Sequence, residues 1–174
     1  MYIVGISYRQ SAQVGCFTYK PMCLPAQCQL RSAQSADLRT IKRLVLRAFL
    51  DPTQLKWQQF WVVTYREKVI ACGQLRRYGR AQELGSLVVH PRWRSQGIGR
   101  ALAGHLITQA QGPLYLECLG QGRKAFFAQL GFRVANWQTM PPEMAAKFRW
   151  TRRLANLMPV PLYVMEYCPP EGKP

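Results

Sequence analysis

Acidic residues are scarce in this chain. Across 174 residues, eight Asp and Glu stand against 24 Lys and Arg, a formal net charge of +16 at pH 7 with histidine neutral. So few carboxylates can hardly line a site for a polycation. The charge instead attracts polyanions, whether a phosphorylated cofactor, RNA or the ribosome, or an anionic membrane face. For any one basic cluster the plain alternative is a solvated surface. Long apolar runs are missing too. None nears about 18 residues, which excludes an expected membrane span, and the aliphatic start Met1–Ile6 lacks the basic and apolar regions of a secretory signal. No acid precedes Asp37, as in organelle leaders, but Arg9, Lys20 and Arg31 are few bases for one, so a cytoplasmic protein is expected. The six cysteines form no CxxC pair, and both histidines, His90 and His105, lie far from them in sequence. That argues against a metal site and for free thiols. The P-loop pattern GxxxxGK followed by Ser or Thr is also absent.

What is present is enough apolar residue, 48% of the chain, for one compact domain. Residues 1–27, rich in Ser, Gln, Cys and Pro, read as an extension with β-prone pieces at 2–7 and 16–19 able to form a hairpin. Residues 28–168 read as a single domain and 169–174 as a Pro-rich tail. Within the domain, the patterning predicts a strand at 29–32 and a helix capped by Ser35 or Asp37, with apolar Leu38, Ile41, Leu44, Val45 and Ala48. An antiparallel meander follows at 60–66, 69–78 and 82–90. A helix over 97–110 leads to a strand at 114–118 that lies parallel to its predecessor by a right-handed crossover. A helix at 121–130, a strand at 132–135, a helix at 143–156 and a strand at 162–167 complete the order. The fold class is mixed α/β, a mostly antiparallel sheet of six or seven strands with helices on both faces.

One stretch carries chemistry. From Leu84 to Ile107 an apolar strand runs through a basic loop into a helix whose first turn holds Gly97 and Gly99. Glycines admit a close ligand, and the unpaired amides of a helix start favour an anion, so a phosphate-bearing ligand is expected. A dinucleotide fingerprint fits poorly, because its third glycine position is Leu102 and Gly97 follows Val89 by eight residues. Arg94-Ser95-Gln96-Gly97-Ile98-Gly99 instead matches the Arg/Gln-x-x-Gly-x-Gly/Ala signature of the GNAT N-acetyltransferase superfamily. Leu87-Val88-Val89-His90-Pro91 is similar to the strand that leads into it. Ala125 to Phe132, ending Leu130-Gly131-Phe132, resembles the superfamily's second signature. The resemblance covers residues 28 to 167.

That resemblance implies acetyl-CoA as donor and no metal. It places the pyrophosphate on the amides of Arg94, Ser95, Gln96, Gly97, Ile98, Gly99 and Arg100, with added charge from Arg94 and Arg100. The pantetheine arm would run along Leu87, Val88 and Val89, on main-chain groups left unpaired by a splayed strand. Of the acids, only Glu83 and Glu117 fall on the two central strands. Glu117 stands where ribosomal-protein N-terminal acetyltransferases of the superfamily carry a base, and Glu83 where other members do. Each is a candidate base acting through water, or else a carboxylate paired with an arginine. Many members place a tyrosine four residues before the second signature's glycine to protonate the thiolate. Here that position is Phe127, and the frequent asparagine seven residues earlier is Gly120, which leaves Tyr115, Cys118, Tyr163 or water as donor. His90 is expected to face solvent and His105 to be structural.

The expected activity is acetyl transfer to a primary amine by direct attack in a ternary complex. A protein N-terminus or lysine is favoured over a small polyamine. The alternative is a non-catalytic acetyl-CoA-sensing or polyanion-binding module. The stretch Lys147–Arg153 interleaves bases with aromatics; the expected packing turns Met144, Phe148, Trp150, Leu154 and Leu157 inward and leaves the bases solvated.

Overall fold

The computed structural model describes residues 24–155 and 159–169. The N-terminal hairpin and the tail from residue 170 lie outside them. Seven strands, β1 (Cys28–Ser32), β2 (Phe60–Tyr65), β3 (Lys68–Tyr78), β4 (Ala81–Val89), β5 (Leu114–Leu119), β6 (Phe132–Val134) and β7 (Leu162–Tyr167), form one sheet in the order β1-β2-β3-β4-β5-β7-β6. Every neighbouring pair is antiparallel except β4 and β5. The helices are α1 (Leu38–Arg47), α2 (Ile98–Gln109), α3 (Gln121–Ala128) and α4 (Pro142–Ala155).

Helix α1 forms because Ile41, Leu44 and Val45 recur at helical spacing and are buried against Phe60, Val62, Cys72 and Val88, while Arg39, Lys42, Arg43 and Arg47 face outward. Its start differs from a simple side-chain cap. A short 3-10 turn precedes it, and Asp37 reaches back to accept the Gln34 N–H at 2.8 Å and the Arg31 guanidinium at 2.7 and 3.1 Å. The β2–β3 hairpin closes on Arg66 and Glu67, both at positive φ as a two-residue turn matching strand twist requires.

The opposite face carries α2 and α3. Ile98, Leu102, Ala103 and Leu106 pack with Val63, Ala71, Leu84 and Leu116, and Phe127, Leu130, Phe132 and Met165 continue that core. Gly73 makes the close approach possible, since a Cβ there would stand 2.6 Å from Leu106 Cδ1. Helix α4 returns to the α1 side, with Met144 and Phe148 fully buried over Ala81, Tyr115 and Val164.

The parallel pair decides where a site forms. Strands β4 and β5 are in register at only two positions, Gln82↔Leu114 and Glu83↔Tyr115. Just beyond, β4 bulges: Gln74 pairs with Gly85 but Cys72 with Val88, so β4 carries one extra residue, and Ser86 there has φ +49°. Further along, no β5 residue pairs with β4 among the described residues, and the sheet forks.

Candidate active site

One end of the fork is the loop after β4. Pro91–Trp93 makes a 3-10 turn, Ser95 sits at φ +62°, and Gly97 at φ +78° caps α2 in a left-handed conformation that glycine adopts at no steric cost. The first intrahelical acceptor is Gly97, whose carbonyl takes the Ala101 N–H at 2.9 Å. The amides of Ile98, Gly99 and Arg100 therefore have no intrahelical acceptor. Gly99 lies against β4, a Cβ there falling 3.4 Å from Val89 Cγ2. Arg94 is exposed and donates from Nε to the Val89 carbonyl at 3.2 Å, tying the loop to its strand. Arg100 donates to the Gln129 side chain, and Gln96 to the Arg92 carbonyl at 3.4 Å. Leu87 and Val89 pack half-buried toward α2, whereas Val88 is buried toward α1.

At the closed end of the fork, both candidate bases meet. Glu83 on β4 is 2% exposed; Lys147 of α4 donates to its Oε1, and Arg76 of β3 lies 3.5 Å from its Oε2. Glu117 on β5 is 24% exposed; the same Lys147 Nζ reaches its Oε1 at 3.0 Å, and Thr151 donates to its Oε2 at 2.7 Å. Arg76 in turn donates to Gln74 Oε1 at 2.9 Å and to Ser86 Oγ, at the bulge, at 3.0 Å. Among the described residues, two carboxylates and two cations thus share one largely buried network. The phenol of Tyr78 beside it is pushed up to about 12, first by burial and then by the charge of Glu83.

This corrects the sequence reading of α4. Met144 and Phe148 are buried as expected, but Lys147 is not a solvated base, its side chain being 15% exposed. Helix α4 has no free face at that position, because two strand carboxylates stand beneath it. The side chains of Trp150 and Leu154, and all of Leu157, lie outside the described residues. Arg76, Lys147 and Thr151 escaped the sequence reading. Gln74 and Arg76 did carry a signal, as polar residues on the same face of a central strand as apolar Cys72, and Lys147 and Thr151 are one helical turn apart.

The thiolate-donor candidates separate clearly. Cys118 is buried with Sγ 3.9 Å from Met165 Sδ, and burial lifts its thiol to about 11. Tyr115 is buried on the α4 side, its phenol raised by burial and then by Glu166 and Cys168. Phe127 is a core residue, edge-on to Phe132 with centroids 5.7 Å apart. Tyr163 alone of the three candidates offers an exposed hydroxyl contact, accepting from Gln121 Nε2 at 2.6 Å. His105 packs edge-on to Trp61 with ring centroids 4.2 Å apart, and burial lowers its pKa. His90 is only half exposed rather than solvent-facing: its Nδ1 is buried without a hydrogen-bond partner among the described residues. Among those residues no three His, Cys, Asp or Glu side chains gather as a metal site, and no helix is long and apolar enough to cross a membrane.

A forked α/β sheet with an amide-lined glycine loop at one end and carboxylates at the other defines an acyl-CoA N-acyltransferase fold. Residues 56–134 match the family model described as an acetyltransferase (GNAT) domain. Helix α4 lies beyond the matched residues. No curated protein matches the sequence. Among solved structures, N-acetylglutamate synthase from Neisseria gonorrhoeae, complexed with coenzyme A and L-arginine, is similar at TM-score 0.65 and 19% identity, covering 82% of this chain and 33% of that one. Rv2747 from Mycobacterium tuberculosis, in complex with CoA and NLQ, is similar at TM-score 0.65 and 22% identity over 81% of this chain and 99% of its own. The ribosomal-protein-S18-alanine N-acetyltransferase from Escherichia coli gives TM-score 0.60 and 19% identity over 84% and 99%. This chain spans about a third of the gonococcal synthase's length.

Proposed function

We propose that the chain transfers an acetyl group from acetyl-CoA to a primary amine, with the α-amine of a protein N-terminus as the favoured acceptor. The observation that carries this reading is the fork itself. Among the described residues it leaves the inner edge of β4 unpaired between a loop of free amides and a carboxylate pair, the course a pantetheine arm would take. On this reading the pyrophosphate sits on the amides from Arg94 through Arg100, Leu87, Val88 and Val89 border the arm, and the acceptor enters from the α1 and α4 side.

Glu117 is the base, because its carboxylate is partly open to solvent while Glu83 is enclosed by Arg76 and Lys147. The amine nitrogen attacks the thioester carbonyl, its proton passes to Glu117 through water, and the tetrahedral oxyanion collapses with cleavage of the C–S bond. Tyr163 protonates the departing thiolate in place of Phe127. The acceptor class rests on charge: in a net +16 chain whose carboxylate pair already faces two cations, few acids are left to hold a polyamine. Two of the similar structures carry names for acetylation of an α-amine, on glutamate and on a ribosomal-protein alanine.

A thiol-release assay with acetyl-CoA and a panel of peptides and amines tests this directly, alongside calorimetry of acetyl-CoA binding. Release above background with a peptide N-terminus, and an added acetyl mass on that peptide, is the expected result. Acetyl-CoA binding without release for any acceptor would overturn the enzyme and leave an acetyl-CoA-sensing module.

A further inference from the structure

Among the described residues Lys147 is the one cation that touches both carboxylates, its Nζ hydrogen-bonding Glu83 Oε1 and Glu117 Oε1 together. It comes from α4, outside the residues that match the family model, and α4 is held by two fully buried side chains, Met144 and Phe148. The ammonium therefore occupies the place where a carboxylate pair would otherwise recruit the ammonium of an incoming acceptor. We propose that Lys147 is a specificity-determining positioning residue, an internal counter-cation that rejects polycationic acceptors and drives the acceptor amine to lose its proton before attack. The inference rests on the acetyltransferase reading above and names its acceptor class.

Glu83 and Glu117 face Lys147 from β4 and β5, Arg76 and Tyr78 stand behind Glu83 on β3, Asp51 lies within electrostatic reach from the segment after α1, and Glu143 is on Lys147's own helix. Arg76 and Lys147 already balance Glu83 and Glu117. An acceptor arriving as an ammonium brings uncompensated positive charge into a partly buried site, which favours the neutral amine. A polyamine brings two or more such charges, whereas a peptide N-terminus brings one that deprotonates readily.

The test compares wild type, Lys147→Met and Lys147→Arg as full chains, measuring kcat and kcat/KM across pH for an alanine-initiated peptide and for spermidine. Wild type is expected to prefer the peptide at every pH. In Lys147→Met the spermidine-to-peptide ratio of kcat/KM rises about tenfold or more, and the acid limb of the peptide kcat profile, which reports ionisation in the bound complex, moves up by about one pH unit. Lys147→Arg, which keeps the cation, retains both wild-type properties. A folded Lys147→Met with ratio and limb unchanged overturns the inference. So does a wild type that uses spermidine as well as the peptide, a result that needs no variant to fold. No transfer by wild type to any amine overturns the acetyltransferase reading and this inference together, whereas transfer with an unchanged ratio overturns this one alone.

Discussion

The two ends of the β4–β5 fork handle charge by opposite means. At the loop end the polar groups are mainly backbone: amides of a helix start, a left-handed Gly97, and an exposed Arg94 and half-buried Arg100 that each make one hydrogen bond. At the closed end they are side chains, two carboxylates and two cations desolvated together and each dependent on the others. A backbone cradle tolerates changes of most side chains, because the donors stay wherever the helix starts. A buried ion network does not, since removal of one partner leaves another charge uncompensated, at a typical cost of about 3–5 kcal/mol when burial is complete.

The largest effect is expected at the closed end. Glu117→Gln should lower kcat by about 10²- to 10⁴-fold, as for loss of a general base, with the acetyl-CoA dissociation constant unchanged. Steady-state kinetics with calorimetry would show it, and a kcat near wild type would remove Glu117 from the mechanism. The loop end should answer in the opposite currency. Gly97→Val places a β-branched residue at φ +78°, and acetyl-CoA affinity should fall about tenfold through a misplaced helix start. Calorimetry showing unaltered affinity would mean that the cradle is not where the cofactor binds. The smallest effect belongs outside the fork and serves as its control. The Arg31 guanidinium holds the Asp37 carboxyl below its ordinary range, assisted by the Gln34 N–H. A lowered folded-state pKa gives stability that is present above the unfolded value and lost as pH falls through the folded one. Asp37→Asn should therefore lower Tm at neutral pH by about 2–4 °C, a difference that vanishes in acid, without touching kcat. A Tm gap that persists at low pH would mean that packing, not the ion pair, carries the effect.

Much of this molecule can be read along the chain, and the exceptions have a common cause. The meander, the crossover and both glycine signatures are local patterns, and each expected strand and helix of the described domain lies within about two residues of its observed bounds, the usual uncertainty of element ends. The free-thiol expectation agrees with the four described cysteines, Cys28, Cys72, Cys118 and Cys168, all unpaired. Lys147 could not be read the same way. Helical periodicity put Met144 and Phe148 inside correctly, and by that rule their neighbour Lys147 belonged on the solvated rim. What overrode the rule is the seat of α4 over two strands whose inward positions are glutamates.

By itself the sequence determined the shortage of acid, the glycine-marked helix start after β4, and the placing of Glu83 and Glu117 on two central strands, because charge count, turn chemistry and alternation are properties of short windows. Only the tertiary structure decided that the two glutamates converge, that the β4 bulge at Ser86 coincides with the opening of the fork, and that Lys147, 64 residues from one carboxylate and 30 from the other, closes the pair. Contacts at such separations follow from sheet order and from which face a helix covers. No periodicity in the chain records either.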